Sequence, residues 1–356
     1  MTSAQVLPAH HPLIDGRTSN SAIVLAYQGI RPEHAPIWMM RQAGRSLPEY
    51  RAIRATIPML DSCLLPELVA QITLQPVYRH SVDAAIFFSD IVVPLKLAGV
   101  DVDIVAGVGP VMTSPVRTMA DVAALPELDP ASLEPITQAV NILIGELGST
   151  PLIGFAGAPF TLASYLVEGR PSRDKANTRS MMLNDPETWH ALLSWVADVT
   201  SAFLRAQAMA GASAVQVFDS WVGALSREEY GTFVAPHSRA VFDAVSDLPI
   251  ARVHFGTHTE HLLESMLNVG ATVMGIDQHT PLDVANGLLG GATPLQGNID
   301  PQLLSADWDV LADHVRDVLR RGRQAPAHVV NLGHGVPKDT DPDVLTRVVA
   351  LVHDEG

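Results

Sequence analysis

Cysteine is almost missing from this chain. One residue in 356, Cys63, excludes an internal disulfide and leaves too few thiolates for a zinc–thiolate or iron–sulfur centre. Lysine is nearly as scarce: Lys96, Lys175 and Lys338 are the only ones among 23 basic residues, so positive charge rests on arginine. A pyridoxal Schiff base therefore has few candidate lysines and no motif to support it. There is no Walker A sequence, and no GxGxxG follows a strand-like run. A formal net charge of −15 argues against nucleic acid or an anionic membrane as partner, because neutralising phosphates takes a basic surface. Long apolar runs are missing too. The most apolar window, residues 152–167, is too short to span a bilayer comfortably and is interrupted by Pro159 and two glycines, which suits a buried strand and turn. The N-terminus has no basic stretch leading into an apolar one, so a cytoplasmic chain is expected. Residues 1–20 read as a flexible arm and residues 21–356 as one catalytic domain.

What the chain does contain is a repeated alternation. Short apolar runs recur at 37–40, 84–88, 152–156, 214–218, 251–255, 272–276, 294–297 and 328–332, most of them followed by a helical pattern. Runs that are continuously apolar suit parallel strands covered on both faces, and eight is the strand count of the commonest closed parallel barrel. The expected architecture is thus α/β, a single (β/α)8 TIM-type barrel. The interval from Asp90 to Ser149 exceeds one crossover and reads as a hairpin-like insertion after the second strand. Helices are expected over 187–210, 227–245, 281–289, 301–321 and 341–353, with Asp-Pro steps at 129–130, 300–301 and 341–342 as starts.

In such a barrel the residues after each strand meet at one mouth, where active sites of this architecture lie. They include Arg41, then Ser89-Asp90, the Gly157-Ala158-Pro159 turn leading to Tyr165, Asp219-Ser220, His254 and His258, Asp277-Gln278-His279, and Gly333-His334-Gly335. Asp90 fits a helix cap as well as a cleft carboxylate, and Tyr165 fits the core as well as a site. Ser220 lacks a nucleophile-elbow setting and reads as a hydrogen-bond donor. His254 and His258 have i, i+4 spacing but no following cysteine or clear acidic third ligand, so no metal site is expected. The densest feature is the segment 37–54. There an apolar run ends in Arg41, Gln42, Ala43, Gly44 and Arg45, followed by Arg51 and Arg54, giving four guanidiniums in fourteen residues of an acidic protein. Arginine's planar fork matches a carboxylate, and small residues admit a ligand close to the backbone. The same spacing also fits a solvated loop with weak surface ion pairs.

Taken together, WMMRQAGR…LPEYR (38–51), FFSDI (87–91), GFAGAPFTLASYLVEG (154–169), VQVFDS (215–220), GIDQ (275–278), LQGNIDP (295–301) and NLGHGVPKDTDPD (331–343) closely resemble the uroporphyrinogen decarboxylase family. The resemblance runs from about residue 20 to residue 350. It implies a barrel, typically a homodimer, and cofactor-free removal of four acetate carboxyls from uroporphyrinogen III to give coproporphyrinogen III. It also implies substrate binding by Arg41, Gln42, Ala43, Gly44, Arg45, Arg54, Asp90, Tyr165, Ser220 and His334, with Asp90, Arg41 and Tyr165 catalytic and no metal. Ser46 departs from the tyrosine common in the family, which changes the loop beside Arg45 without removing a charge. Two other readings share these features: a thiol methyltransferase on a related barrel, which would need zinc held by His and Cys, and a non-catalytic porphyrinogen carrier.

Overall fold

Along each apolar run the side chains alternate between two buried environments, as period-two geometry requires. Trp38, Met40, Ile86, Ile153, Phe155, Ala214, Val253, Phe255, Val273 and Val329 share one cluster, the interior of a curled sheet. Their neighbours Ile37, Met39, Ala85, Phe87, Leu152, Val215, Val217, Met274 and Val330 join a larger cluster between sheet and helices. The computed structural model describes residues 7–356. Its strands are β1 (Ala85–Ile86), β2 (Val102–Val105), β3 (Gly109–Met112), β4 (Leu152–Gly157), β5 (Ala214–Asp219), β6 (Ala251–Gly256), β7 (Val273–Gly275), β8 (Leu295–Gln296) and β9 (His328–Val329). Seven of them form one parallel sheet in the order β1-β4-β5-β6-β7-β8-β9. The expected insertion is the antiparallel β2–β3 hairpin, with Val102 opposite Met112.

The run at 37–40 is not a full strand, yet it stands as the missing stave. Ile37 forms a parallel bridge to Val330 beyond β9. Trp38 N donates to Val330 O (3.2 Å) and Val330 N to Pro36 O (2.8 Å), while Asp83 N, entering β1, donates to Ile37 O (2.8 Å). The segment is therefore tied to the last strand on one side and to the first on the other. Beyond Trp38 side chains join the backbone in holding it: Met40 N donates to Asn331 Oδ1 and Met39 N to Gln42 Oε1, both at 2.9 Å, while Val336 N donates to Met40 O (2.9 Å).

Several expected helices form as read. Pro186–Ala210 is capped by Asp185, whose side chain accepts from Thr188 N, and Pro342–Glu355 by Asp341 accepting from Asp343 N. Asp129 and Asp300 cap 3-10 turns in the same way. Two expectations are corrected. Residues 227–245 make two helices, Arg227–Phe233 and Ala235–Asp243, because Pro236 supplies no N–H to carry the ladder across Val234. Residues 301–321 split into a 3-10 turn, Pro301–Ser305, and the helix Trp308–Gly322. Of the expected arm, residues 1–6 lie outside the described residues. Residues 7–20 are docked on the barrel: Leu7 and His11 are buried, His11 Nε2 lies 3.0 Å from Ala208 O, and Thr18 Oγ1 lies 2.9 Å from Ser213 Oγ.

The helix Ala22–Tyr27 supplies the barrel floor. The buried Tyr27 hydroxyl donates to Gln296 Oε1 (2.5 Å), Trp38 Nε1 donates to Tyr27 Oη (3.1 Å) and Gln296 Oε1 (3.2 Å), and Gln296 Nε2 donates to Gln216 Oε1 (3.0 Å). Burial pushes the Tyr27 phenol up, so it stays a donor at any working pH. Tyr27→Phe removes one donor and one acceptor from this closed layer. We expect a loss of about 1–3 kcal/mol in urea unfolding with the denaturant slope unchanged; an unchanged midpoint would show that the layer adds nothing to closure.

Candidate active site at the barrel mouth

The stave at 37–40 ends where the arginines begin. Arg41 (φ 63°) and Arg45 (φ 42°) both adopt left-handed backbone, a conformation that bulky residues seldom take, and Gly44 (φ 114°) lies between them. The tight loop folds over Tyr50: a Cβ on Gly44 would meet the Tyr50 ring at 3.3 Å. Gln42 turns inward, its Oε1 accepting from Met39 N and its Nε2 donating to Ala84 O (both 2.9 Å). Its side chain fastens the loop to β1 and does not face the mouth. Arg51 donates from Nη2 to Ser46 O (2.9 Å) and Lys338 O (3.1 Å). The side chains of Arg41 and Arg45, by contrast, have no carboxylate within 4.0 Å and no hydrogen-bond partner among the described residues. Ala43 is half-buried beside them.

Across the opening stands Asp90, which follows β1. Its Oδ1 accepts from Val92 N (3.1 Å) and leaves the rest of the carboxylate free. Burial pushes its pKa above the ordinary carboxylate value, opposed by the Val92 bond and the nearby Arg41 charge. Tyr165, on the helix Pro159–Glu168, is pushed up to about 12 by burial and then by Asp90, with Arg41 acting in the opposite sense. The phenol is therefore a neutral donor at neutral pH. His334 stands exposed in its Gly-His-Gly turn, and a Cβ on Gly335 would run into the Arg41 side chain. Surrounding protein and then Arg41 hold its imidazole below the ordinary value, while Asp277 opposes them. The Arg41 guanidinium thus lies near enough to Asp90, Tyr165 and His334 to act on the protonation of each.

Ser220 is half-exposed, and its carbonyl accepts from Thr257 Oγ1 (2.6 Å). Its support comes from behind. Buried Asp219 accepts from Thr161 Oγ1 (2.8 Å) through Oδ1, and Thr161 Oγ1 in turn accepts from Trp221 N (3.4 Å). Thr161 lies on the helix that carries Tyr165, and the Trp221 ring lies 4.2 Å from that of Tyr165. Sequence reading missed this coupling, since nothing in VFDSW pairs it with a helix sixty residues earlier. Arg54 is half-buried and bonds the Ile57 carbonyl; burial raises the Tyr50 phenol pKa, and Arg54 offsets part of that rise. Cys63 lies against the Asp90 turn: burial pushes its thiol up, and Asp90 adds to the effect. His254 and His258 do not act as a pair. His254 is buried behind the sheet, its Nδ1 3.0 Å from Met266 O, whereas His258 stands exposed at the mouth beside Asp277 and His279. The acidic neighbour that the spacing lacked, Asp277, comes from the loop after β7.

The mouth is lined by unpaired guanidiniums, one buried carboxylate and neutral donors, a set suited to a polyanion that also carries N–H groups. Comparison with known proteins agrees. The uroporphyrinogen decarboxylase (URO-D) family profile matches residues 18–355. The chain is 62% identical over 340 residues to the uroporphyrinogen decarboxylase of Arthrobacter sp. strain FB24, covering 96% of this chain and 99% of that protein. It is 56% identical over 348 residues to that of Saccharopolyspora erythraea, covering 95% and 96% respectively. Among solved structures, a methyltransferase from Methanosarcina mazei superposes with a TM-score of 0.79 at 17% identity, over 95% of this chain and 98% of that one. That likeness shows a shared fold. By sequence over nearly its whole length, the chain belongs to the uroporphyrinogen decarboxylase family.

Proposed function

We propose that this uroporphyrinogen decarboxylase grips the carboxylates of uroporphyrinogen III with Arg41, Arg45 and Arg54, and gathers the pyrrole N–H groups of the bent macrocycle on Asp90. The observation that carries this reading is the pairing of two arginines without counter-ions and a desolvated carboxylate in a chain of net charge −15. Backbone from Gln42, Ala43 and Gly44 lines the approach. Tyr165 and Ser220 orient the reacting acetate, and His334 receives a second carboxylate.

The chemistry then needs no cofactor. Protonation of a pyrrole α-carbon makes the ring an electron sink; the acetate C–C bond breaks, CO2 leaves, and its bonding pair enters the ring as an exocyclic methylene. Protonation of that methylene and loss of the α-proton restore the pyrrole with a methyl group. Four such events give coproporphyrinogen III and four CO2. The cation formed in each is what Asp90, ionised and short of hydrogen bonds, stabilises more than the ground state. Arginine, with a pKa above about 12, holds carboxylates and does not supply the proton.

No helix among the described residues is long and apolar enough to cross a membrane. As the family resemblance implies, the chain is read as a cytoplasmic homodimer; sedimentation at twice the 38.1 kDa chain mass is the expected result, and a monomer at working concentration would oppose it.

The direct test is anaerobic incubation with uroporphyrinogen III, followed by oxidation and chromatography by carboxylate number. Unchanged eight-carboxylate material with tight binding would favour the carrier reading. Asp90→Asn should lose at least about 10²-fold in turnover. Because burial raises the Asp90 pKa, the folded state favours the protonated acid and the charge costs stability at neutral pH, so the variant should melt at the same temperature or higher. Near-normal CO2 release would remove Asp90 from the mechanism. The same shift sets the acid limb of kcat/KM: activity should fall as pH drops through a value above the ordinary carboxylate range, and Asp90→Asn should abolish that limb. Arg41→Ala should raise KM roughly 10–100-fold, or about 1.4–2.8 kcal/mol, with weaker salt dependence than the parent.

A further inference from the structure

Beside the cleft, the loops that follow β6 and β7 each carry a histidine, His258 and His279, that the decarboxylation leaves unused. A nitrogen of His258, a nitrogen of His279 and a carboxylate oxygen of Asp277 all lie within 4.8 Å of one another. The two imidazoles are exposed and stacked, with centroids 4.1 Å apart and planes at 18°. Asp277 is buried at 2% exposure, and its carboxylate is held in place by His258 N on Oδ2 (2.6 Å) and His279 N on Oδ1 (3.2 Å). His258 pays for its position with left-handed backbone (φ 56°), which the Asp277 bond sustains. The ring nitrogens of His258 have no hydrogen-bond partner among the described residues, and His279 Nε2 has only Gln278 Nε2, at 3.2 Å. Gln278 Oε1, in the same turn, is a buried acceptor with no partner.

We infer that His258, His279 and Asp277 form a binding site for a borderline divalent transition cation of the zinc, cobalt or nickel type, at the rim of the cleft and separate from its chemistry. Two neutral imidazoles and one carboxylate select this class over magnesium or calcium, which favour all-oxygen shells, and over thiolate-seeking ions. A rigid buried carboxylate with two surface imidazoles gives one fixed ligand and two that can adjust. Metal–ligand bonds of about 2.0–2.1 Å put tetrahedral donors roughly 3.3 Å apart, so capture requires the stack to open and each ring to move by about 1 Å. The fourth position faces the cleft, where water or a carboxylate completes the shell. Neither His258 nor His279 belongs to the binding set assigned above, so cation binding by the substrate-free protein is tested independently of that reading.

The test is titration of the full chain with Zn2+ by calorimetry and with Co2+ by visible absorption, without substrate. The wild type is expected to take up one equivalent saturably, with d–d bands for Co2+ and a rise in melting temperature for Zn2+. His258→Ala and His279→Ala, both at exposed positions, should fold normally by circular dichroism and weaken binding at least tenfold. His237→Gln, which disrupts the other close histidine pair (His190 Nδ1 to His237 Nε2, 2.9 Å), should leave it unchanged. Absence of saturable binding, wild-type affinity in either alanine variant, or loss of binding in His237→Gln would overturn the assignment.

Discussion

Pro36 and Trp38 exchange backbone hydrogen bonds with Val330, beyond the last strand, on one side, and Ile37 between them receives one from Asp83, entering the first strand, on the other. Below them, the Trp38 indole joins Tyr27, Gln296 and Gln216 in a buried hydrogen-bonded layer. These contacts hold the two edges of a seven-stranded sheet together, and they also set where residue 41 begins. Arg41 comes directly after the stave, so its guanidinium stands at the height and azimuth that closure imposes. If the stave slipped by one residue, Trp38 would exchange places with a neighbour that cannot donate, and the arginine loop would lose its register against Ala84 and Asn331.

Electrostatics at the mouth follow from leaving charges unsatisfied. Some arginines elsewhere find carboxylates, as Arg316 does with Glu355 and Arg321 with Asp283, where each pair adds little to stability. Arg41 and Arg45 have none, and Asp90 keeps one backbone donor where a buried carboxylate would ordinarily gather two or three. Such a site is destabilising until a ligand supplies the missing partners. The strained backbone at Arg41 and Arg45 belongs to the same pattern, with the fold's large core offsetting the local cost.

How much of this was legible in the sequence depended on range. The apolar runs marked all seven strands of the sheet and the stave, because burial on both faces leaves a compositional trace. Asp-Pro steps marked helix starts because capping is local. The break at Val234 was readable from Pro236 but was smoothed over by the apolar periodicity on either side. Asp90, Arg41, Tyr165 and His334 could be placed at one mouth by topology. The inward turn of Gln42 could not, since an amide between two arginines reads as a ligand contact until its backbone partners are known. The proximity of Cys63, which caps the short helix Met59–Ser62, to Asp90 is likewise a tertiary contact that pattern carries no information about.

The glutamine–tyrosine–tryptophan layer has one further consequence. It seals the barrel below, so the cavity is a cup with a single rim, and whatever enters must leave the same way. One Asp90 stands in that cup, while the macrocycle presents four acetates at its corners. If Asp90 is the reactive group, as proposed above, it cannot move from ring to ring, so the ligand has to turn, either in place or by leaving and returning. The population of partly trimmed porphyrinogens with seven, six and five carboxylates is then a measure of how often rotation wins over escape.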